Sequence, residues 1–90
     1  MTTHRKFAHV VEAKHMGGHR IWLRFDDGIV GELDLTAELT GEVFEPLRDV
    51  DAFAKFRIDR GHTLSWSNGA DFAPEFLHDL VVRSATRATA

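Results

Sequence analysis

The stretch Ile21-Trp22-Leu23-Arg24-Phe25-Asp26-Asp27-Gly28-Ile29-Val30-Gly31-Glu32-Leu33-Asp34-Leu35 decides the fold. Ile21, Leu23 and Phe25 alternate with polar or amphipathic neighbours, and Ile29, Gly31, Leu33 and Leu35 continue that period of two after a turn signal. A two-residue loop at Asp27-Gly28 would set Leu23 against Glu32 and Ile21 against Asp34. A three-residue loop sets Phe25 against Ile29, Leu23 against Gly31 and Ile21 against Leu33. Only the second keeps the apolar residues on one face, because a one-residue slip turns every side chain over. The sequence therefore predicts a type I turn closed by a left-handed Gly28 in a bulge.

Working outward, Met16-Gly17-Gly18 as a three-residue loop pairs Ala13 with Ile21 and Val11 with Leu23, which completes a three-stranded antiparallel meander over about residues 7–35. Downstream, Thr36 to Thr40 reads as a short helical turn and Gly41 breaks it. Val43, Phe44 and Leu47 gather around Pro46, and Asp49 reads as the N-cap of a short helix through Val50, Phe53 and Ala54. A second hairpin is expected around Asp59-Arg60-Gly61, with Phe56 opposite Leu64 and Trp66 closing the core. Asn68-Gly69 supplies another turn, and Asp71 is placed to accept from amides at a helix start. Pro74 opens that helix, where its missing N–H costs nothing. Phe76, Leu77, Leu80 and Val81 form its apolar stripe. The expected class is α+β: one domain over 1–90, with a folded core over about 7–82 and a small-residue tail over 84–90.

Composition limits the chemistry. The chain has 90 residues, 43% of them hydrophobic and 28% charged, which suits one small globular domain. It has no cysteine, so disulfides, thiolate metal sites and cysteine nucleophiles are excluded. No apolar run approaches the ~18 residues of a membrane span. The start, Met1 to Lys6, lacks the apolar core of a signal peptide, so the cytoplasm is the expected address. Charge is segregated: residues 1–24 carry +4, 25–51 carry −8 and 52–90 carry +1. No basic stripe points to direct contact with nucleic acid.

Six histidines raise the question of a metal. In the predicted register His15 and His19 face each other at a hairpin mouth, but a site needs three or four ligands, and the nearest further candidates, Glu12 and His9, stand at no recognised spacing. The acidic stretch lacks a calcium-loop pattern, and Asp26, Asp27 and Asp49 are explained by turns and capping. No nucleophile elbow, phosphate loop or dinucleotide motif is present. Neither a catalytic residue nor a cofactor is indicated. The aromatics Trp22, Phe44 and Phe72 are not all accounted for by the regular faces. Trp22 points away from Ile21, Leu23 and Phe25, so it is covered by a second layer or left for a partner.

Phe25-Asp26-Asp27-Gly28, Asp34-Leu35, Phe44-Glu45-Pro46-Leu47-Arg48-Asp49 with Phe53, Trp66-Ser67-Asn68-Gly69-Ala70-Asp71 and Pro74-Glu75-Phe76-Leu77 stand in an order that resembles the bacterial domain of unknown function 2442 family. That family often has Pro where Ser67 stands and Tyr where His78 stands. The resemblance implies a small α+β fold and carries no catalytic residue over. Some members are fused to a helix-turn-helix domain, for which this chain is too short. Many stand beside a second small protein, as toxin–antitoxin pairs do. The expectation is a non-catalytic interaction or regulatory module that meets a protein partner or a second copy of itself. A ligand- or metal-sensing domain comes next, and a small enzyme last.

Overall fold

A computed structural model describes residues 8–60 and 62–88. Three strands, β1 (Val10–His15), β2 (Arg20–Phe25) and β3 (Val30–Asp34), form an antiparallel sheet in that order. A small second sheet pairs β4 (Arg57–Ile58) with β5 (Leu64–Ser65). Between the sheets lie two 3-10 turns, Thr36–Glu38 and Glu45–Arg48, and the short helix α1 (Val50–Phe53). The helix α2 (Pro74–Ala88) closes the chain, so the expected tail over 84–90 begins inside it. The architecture is α+β.

The β2–β3 hairpin follows the apolar alternation. Leu23 lies opposite Gly31 and Ile21 opposite Leu33. The Phe25 amide donates to the Ile29 carbonyl, the Gly28 amide donates to the Phe25 carbonyl, and Gly28 has φ +89°. Asp27 tightens the loop by accepting from the Ile29 amide. The same two-bond closure recurs between Asp59 and Thr63 and between Trp66 and Ala70, with His62 and Gly69 in the left-handed position.

Two expected registers are corrected. Ala13 faces Leu23 rather than Ile21, and His15 faces Ile21, because the loop closes from Met16 to Arg20 with Gly17 and Gly18 both at positive φ. A bulge between Val10 and Glu12 then brings Val10, rather than Val11, into the core opposite Phe25. Val10 is fully buried and Val11 is 43% exposed. In the second hairpin Ile58, not Phe56, faces Leu64. The left-handed residue there is His62 at φ +60°; the expected role of Gly61 lies outside the described residues.

The core fills the space between the inner sheet face and α2. Ile21, Leu23, Phe25 and Leu33 meet Leu77 and Val81, all buried. Gly31 is what lets the helix sit close, since a Cβ built there would fall 2.7 Å from Val81 Cγ1. Phe76, expected in the buried stripe, is 36% exposed and stacks its ring on Phe72 instead. Asp49 occupies the N-cap position of α1, yet its side chain makes no capping bond. Its carbonyl accepts the first intrahelical bond, from the Phe53 amide. Asp34 ends β3 by accepting from both the hydroxyl and the amide of Thr36, at 2.6 and 2.9 Å. No helix among the described residues is long and apolar enough to cross a membrane.

Candidate functional site

Two places combine unusual chemistry with access. The first is the outer face of the three-stranded sheet. Alternation along β2 buries Ile21, Leu23 and Phe25 and turns Arg20, Trp22 and Arg24 the other way. Trp22 lies between Lys14 of β1 and Glu32 of β3, half-buried. The Lys14 ammonium sits 5.3 Å from the ring centre, a cation–π contact. Arg24 pairs with Glu12 at 3.0 Å, and Arg20 pairs with Glu32. The result is one large aromatic ring inside a charge-balanced frame.

The second is a ring cluster on the inner side. Trp66 is 4% exposed, and its indole N–H donates to the Phe53 carbonyl at 2.8 Å. Its ring meets Phe53 at 5.7 Å, Phe72 at 5.9 Å and Phe56 at 6.5 Å between centroids. Phe44 stacks on Phe72 at 4.7 Å. Phe44 is therefore partly covered and Phe72 is a buried core ring, which takes Phe72 out of the set of surface anchors. Of the three aromatics singled out, only Trp22 stands apart from this cluster.

Asn68 holds the cluster to its neighbours. Its amide N–H₂ donates to the Val43 carbonyl at 2.9 Å, and its carbonyl oxygen accepts from the Ala70 amide at 3.0 Å. Gly69 supplies positive φ, and Asp71 forms a backbone bridge to Ser65 ahead of Pro74. The segments around Pro46 and around Asn68, far apart in sequence, thus come to lie side by side. Between them is a groove of about 240 Å³ over Trp66 and Leu47. A wider depression of about 550 Å³ over Glu42, Glu45 and Arg48 lacks an aromatic floor.

His15 and His19 do not face each other. Their rings lie against Phe53, at 6.0 and 4.9 Å, and their Nε2 atoms bond the Gly18 and Arg48 carbonyls. Among the described residues no group of three or more His, Asp or Glu is placed to hold a metal ion. The acidic segment is also dispersed. Asp26 pairs with His9 at 3.4 Å and Asp27 with His78 at 2.8 Å, at the β2–β3 loop, while Glu32 belongs to the outer face. The Thr36 hydroxyl and then its amide hold the Asp34 carboxyl below the usual carboxylate range, helped by Arg20 and His19.

Sequence reasoning did not find the Asn68–Val43 tie, the His78–Asp27 contact or the role of Gly31. Only Gly31 carried a signal: a residue without a side chain at an inward position of an otherwise apolar alternation.

The fold and these two faces define a small α+β domain built from three-residue hairpins and one covering helix. The chain belongs to the family described as protein of unknown function (DUF2442), whose family model matches residues 10–82. No curated protein and no solved structure matches it.

Proposed function

We propose that this domain acts by contact, as a non-catalytic protein-interaction module with Trp22 as its anchor. The supporting observation is the half-buried indole in the middle of the outer sheet face, framed by Lys14, Glu12, Arg24, Arg20 and Glu32. Binding energy at protein interfaces concentrates in a few central aromatic and arginine side chains, with a polar rim that excludes water around them. Both kinds of group are in place here, and the frame carries both signs of charge. The partner on this reading is a protein surface with an apolar recess for the indole, or a second copy of the chain. An antitoxin-like or regulatory half of a two-protein system is the form of the reading that the family resemblance suggests.

The test combines light scattering on the purified protein with a pull-down from its native host at low and at moderate salt, using Trp22→Ala as the control. A dimer, or one polypeptide captured in stoichiometric amount, is expected with the natural sequence. Either should be lost in Trp22→Ala while the variant keeps the circular dichroism spectrum of the folded chain. A monomer that captures nothing at either salt, or a Trp22→Ala variant that captures the same partner equally well, overturns the proposal.

A further inference from the structure

Resting on the contact reading of Trp22, we infer that the partner of the outer sheet face is a second copy of this chain, packed face to face about a twofold axis that runs along β2. The registers place Lys14, Trp22 and Glu32 side by side across β1, β2 and β3. The row on one side of them is Glu12, Arg24 and Val30, and on the other side Arg20 lies beside Asp34. The cations Lys14, Arg20 and Arg24 therefore share the face with as many carboxylates, Glu12, Glu32 and Asp34. The face is neutral, whereas the whole chain carries −3. Two copies that meet here avoid the repulsion that their net charge imposes elsewhere.

The order of charges across the Trp22 row selects one arrangement. Two aligned sheets can be related by a twofold axis that lies between them and runs either across the strands or along them. An axis across the strands lays Lys14 on the second copy's Lys14 and Glu32 on the second copy's Glu32, and like charges set against each other suppress pairing. An axis along β2 exchanges β1 with β3. It lays Lys14 on the second copy's Glu32, and Glu32 on the second copy's Lys14, with the two Trp22 rings meeting between these pairs. Arginine meets arginine in both arrangements, so the arginines do not decide between them. Each is already paired within its own chain, Arg24 with Glu12 and Arg20 with Glu32. Packed sheets cross by about 30°, which leaves the row at the axis nearly in register and carries the arginines of the flanking rows apart. Lys14 is the cation best placed to turn to a second copy: its side chain is 64% exposed, and its ammonium meets Glu12 only at 3.8 Å. Glu32 has two carboxylate oxygens, enough to accept from its own Arg20 and from the second copy's Lys14. The face is three strands wide, at about 4.8 Å each, and about 18 Å long, at about 3.3 Å per residue. That is less than the surface of about 800 Å² that each partner gives to a standard interface, so the dimer is weak.

The experiment is sedimentation velocity on the full chain from about 10 µM to about 1 mM, the range of a weak dimer. The natural chain is expected to pass from monomer to dimer within it. Lys14→Glu sets carboxylate on carboxylate across the axis, and Glu32→Lys sets ammonium on ammonium, so each should dimerise at least about tenfold more weakly. An equimolar mixture of the two variants brings opposite charges together again and should form a heterodimer. The double variant Lys14→Glu/Glu32→Lys should recover most of the dimer by itself. Circular dichroism checks that the variants fold. Should Lys14→Glu or Glu32→Lys fail to, Lys14→Gln or Glu32→Gln takes its place, and an undiminished dimer in that variant overturns the inference. So does a mixture of the two folded charge variants that stays monomeric, or a Lys14→Glu dimer as strong as the natural one. A natural chain that is monomeric at the highest concentration also overturns it; if that chain captures another polypeptide through Trp22, the contact reading stands without a second copy. A dimer that Trp22→Ala leaves unweakened removes both.

Discussion

Gly31 shows how much one missing side chain can decide. A Cβ at this position would sit 2.7 Å from Val81 Cγ1, so Gly31→Ala must push the helix from the sheet or force Val81 to another rotamer. Alanine is better than glycine in a strand by about 0.5–1 kcal/mol. Overpacking a core costs about 1–3 kcal/mol, and this term should win. Gly31→Ala is expected to lower the unfolding free energy by about 1 kcal/mol or more, read from urea midpoints. In Gly31→Ala/Val81→Ala the combined loss should fall short of the sum of the single losses by at least about 0.5 kcal/mol, because the clash is removed. Strict additivity would mean that the two residues do not touch. Asp34 makes a second prediction at this scale. Its pKa is lowered in the folded state by the Thr36 hydroxyl and amide, so the folded protein binds fewer protons there than the unfolded chain. The stabilisation is complete above the ordinary value of 3.8 and is lost as the pH falls from there through the folded pKa. The carboxylate is largely in water, so the effect is small. Asp34→Asn should lose less stability than the natural chain over that acid range, in matched urea titrations. Equal slopes for the two proteins would remove Asp34 from the acid response.

At the scale of elements, one loop design is used three times, and its residues differ in what they must supply. In the loops from Phe25 to Ile29 and from Trp66 to Ala70, Asp27 and Asn68 accept equivalent bonds, from the Ile29 and Ala70 amides. Asn68 also donates to the Val43 carbonyl. Asn68→Asp keeps the acceptor but sets a carboxylate against that carbonyl at an exposed contact, with a loss of about 1 kcal/mol or somewhat more expected. Asp27→Asn keeps the acceptor too, and keeps an oxygen or an amide at the partly exposed contact with His78, so a loss below about 1 kcal/mol is expected. Thermal melts of the two variants check the order, and a reversed order would mean that Asn68 does not tie the loop to residues 41–44. The same loops show what periodicity can read. A period of two fixes which face a strand buries, and it is blind to a slide of two residues. In β2–β3 the turn chemistry of Asp26-Asp27-Gly28 removed that freedom. In β1–β2 the candidate loop could slide by one position, because Gly17 and Gly18 suit either placement and Val10 and Val11 are both apolar. In β4–β5 Phe56 and Ile58 were equally good partners for Leu64, and a non-glycine residue, His62, took the left-handed position that the pattern assigns to a glycine. The faces were legible and the slides were not. The groove was not legible at all, since it depends on the Pro46 and Asn68 segments meeting in space.

For the whole molecule, the two tryptophans divide structure from the proposed interaction. Trp66 is 4% exposed, packed on Phe53, Phe56 and Phe72, and bonded through its N–H to a backbone carbonyl. Removing that ring leaves a cavity in the only core a chain of this length can build, and Trp66→Ala should cost roughly 3–5 kcal/mol. That is comparable to the whole stability of many small domains, so the variant is expected to be largely unfolded at room temperature. The gentler Trp66→Phe keeps most of the ring but strands the buried Phe53 carbonyl, at about 1–3 kcal/mol, and should stay folded with a lowered melting temperature. Trp22 faces the other way. Its ring has water on one side, and its neighbours Lys14 and Glu32 each keep a charged partner, Glu12 and Arg20, when it is gone. Trp22→Ala should therefore cost no more than about 1 kcal/mol. Far- and near-ultraviolet circular dichroism with thermal melts on the three variants gives the comparison directly. The expected order of stability is Trp22→Ala, then Trp66→Phe, then Trp66→Ala. If Trp22→Ala proves as damaging as Trp66→Ala, then Trp22 is a structural residue of this domain, and its position on the sheet no longer supports an anchor for a partner.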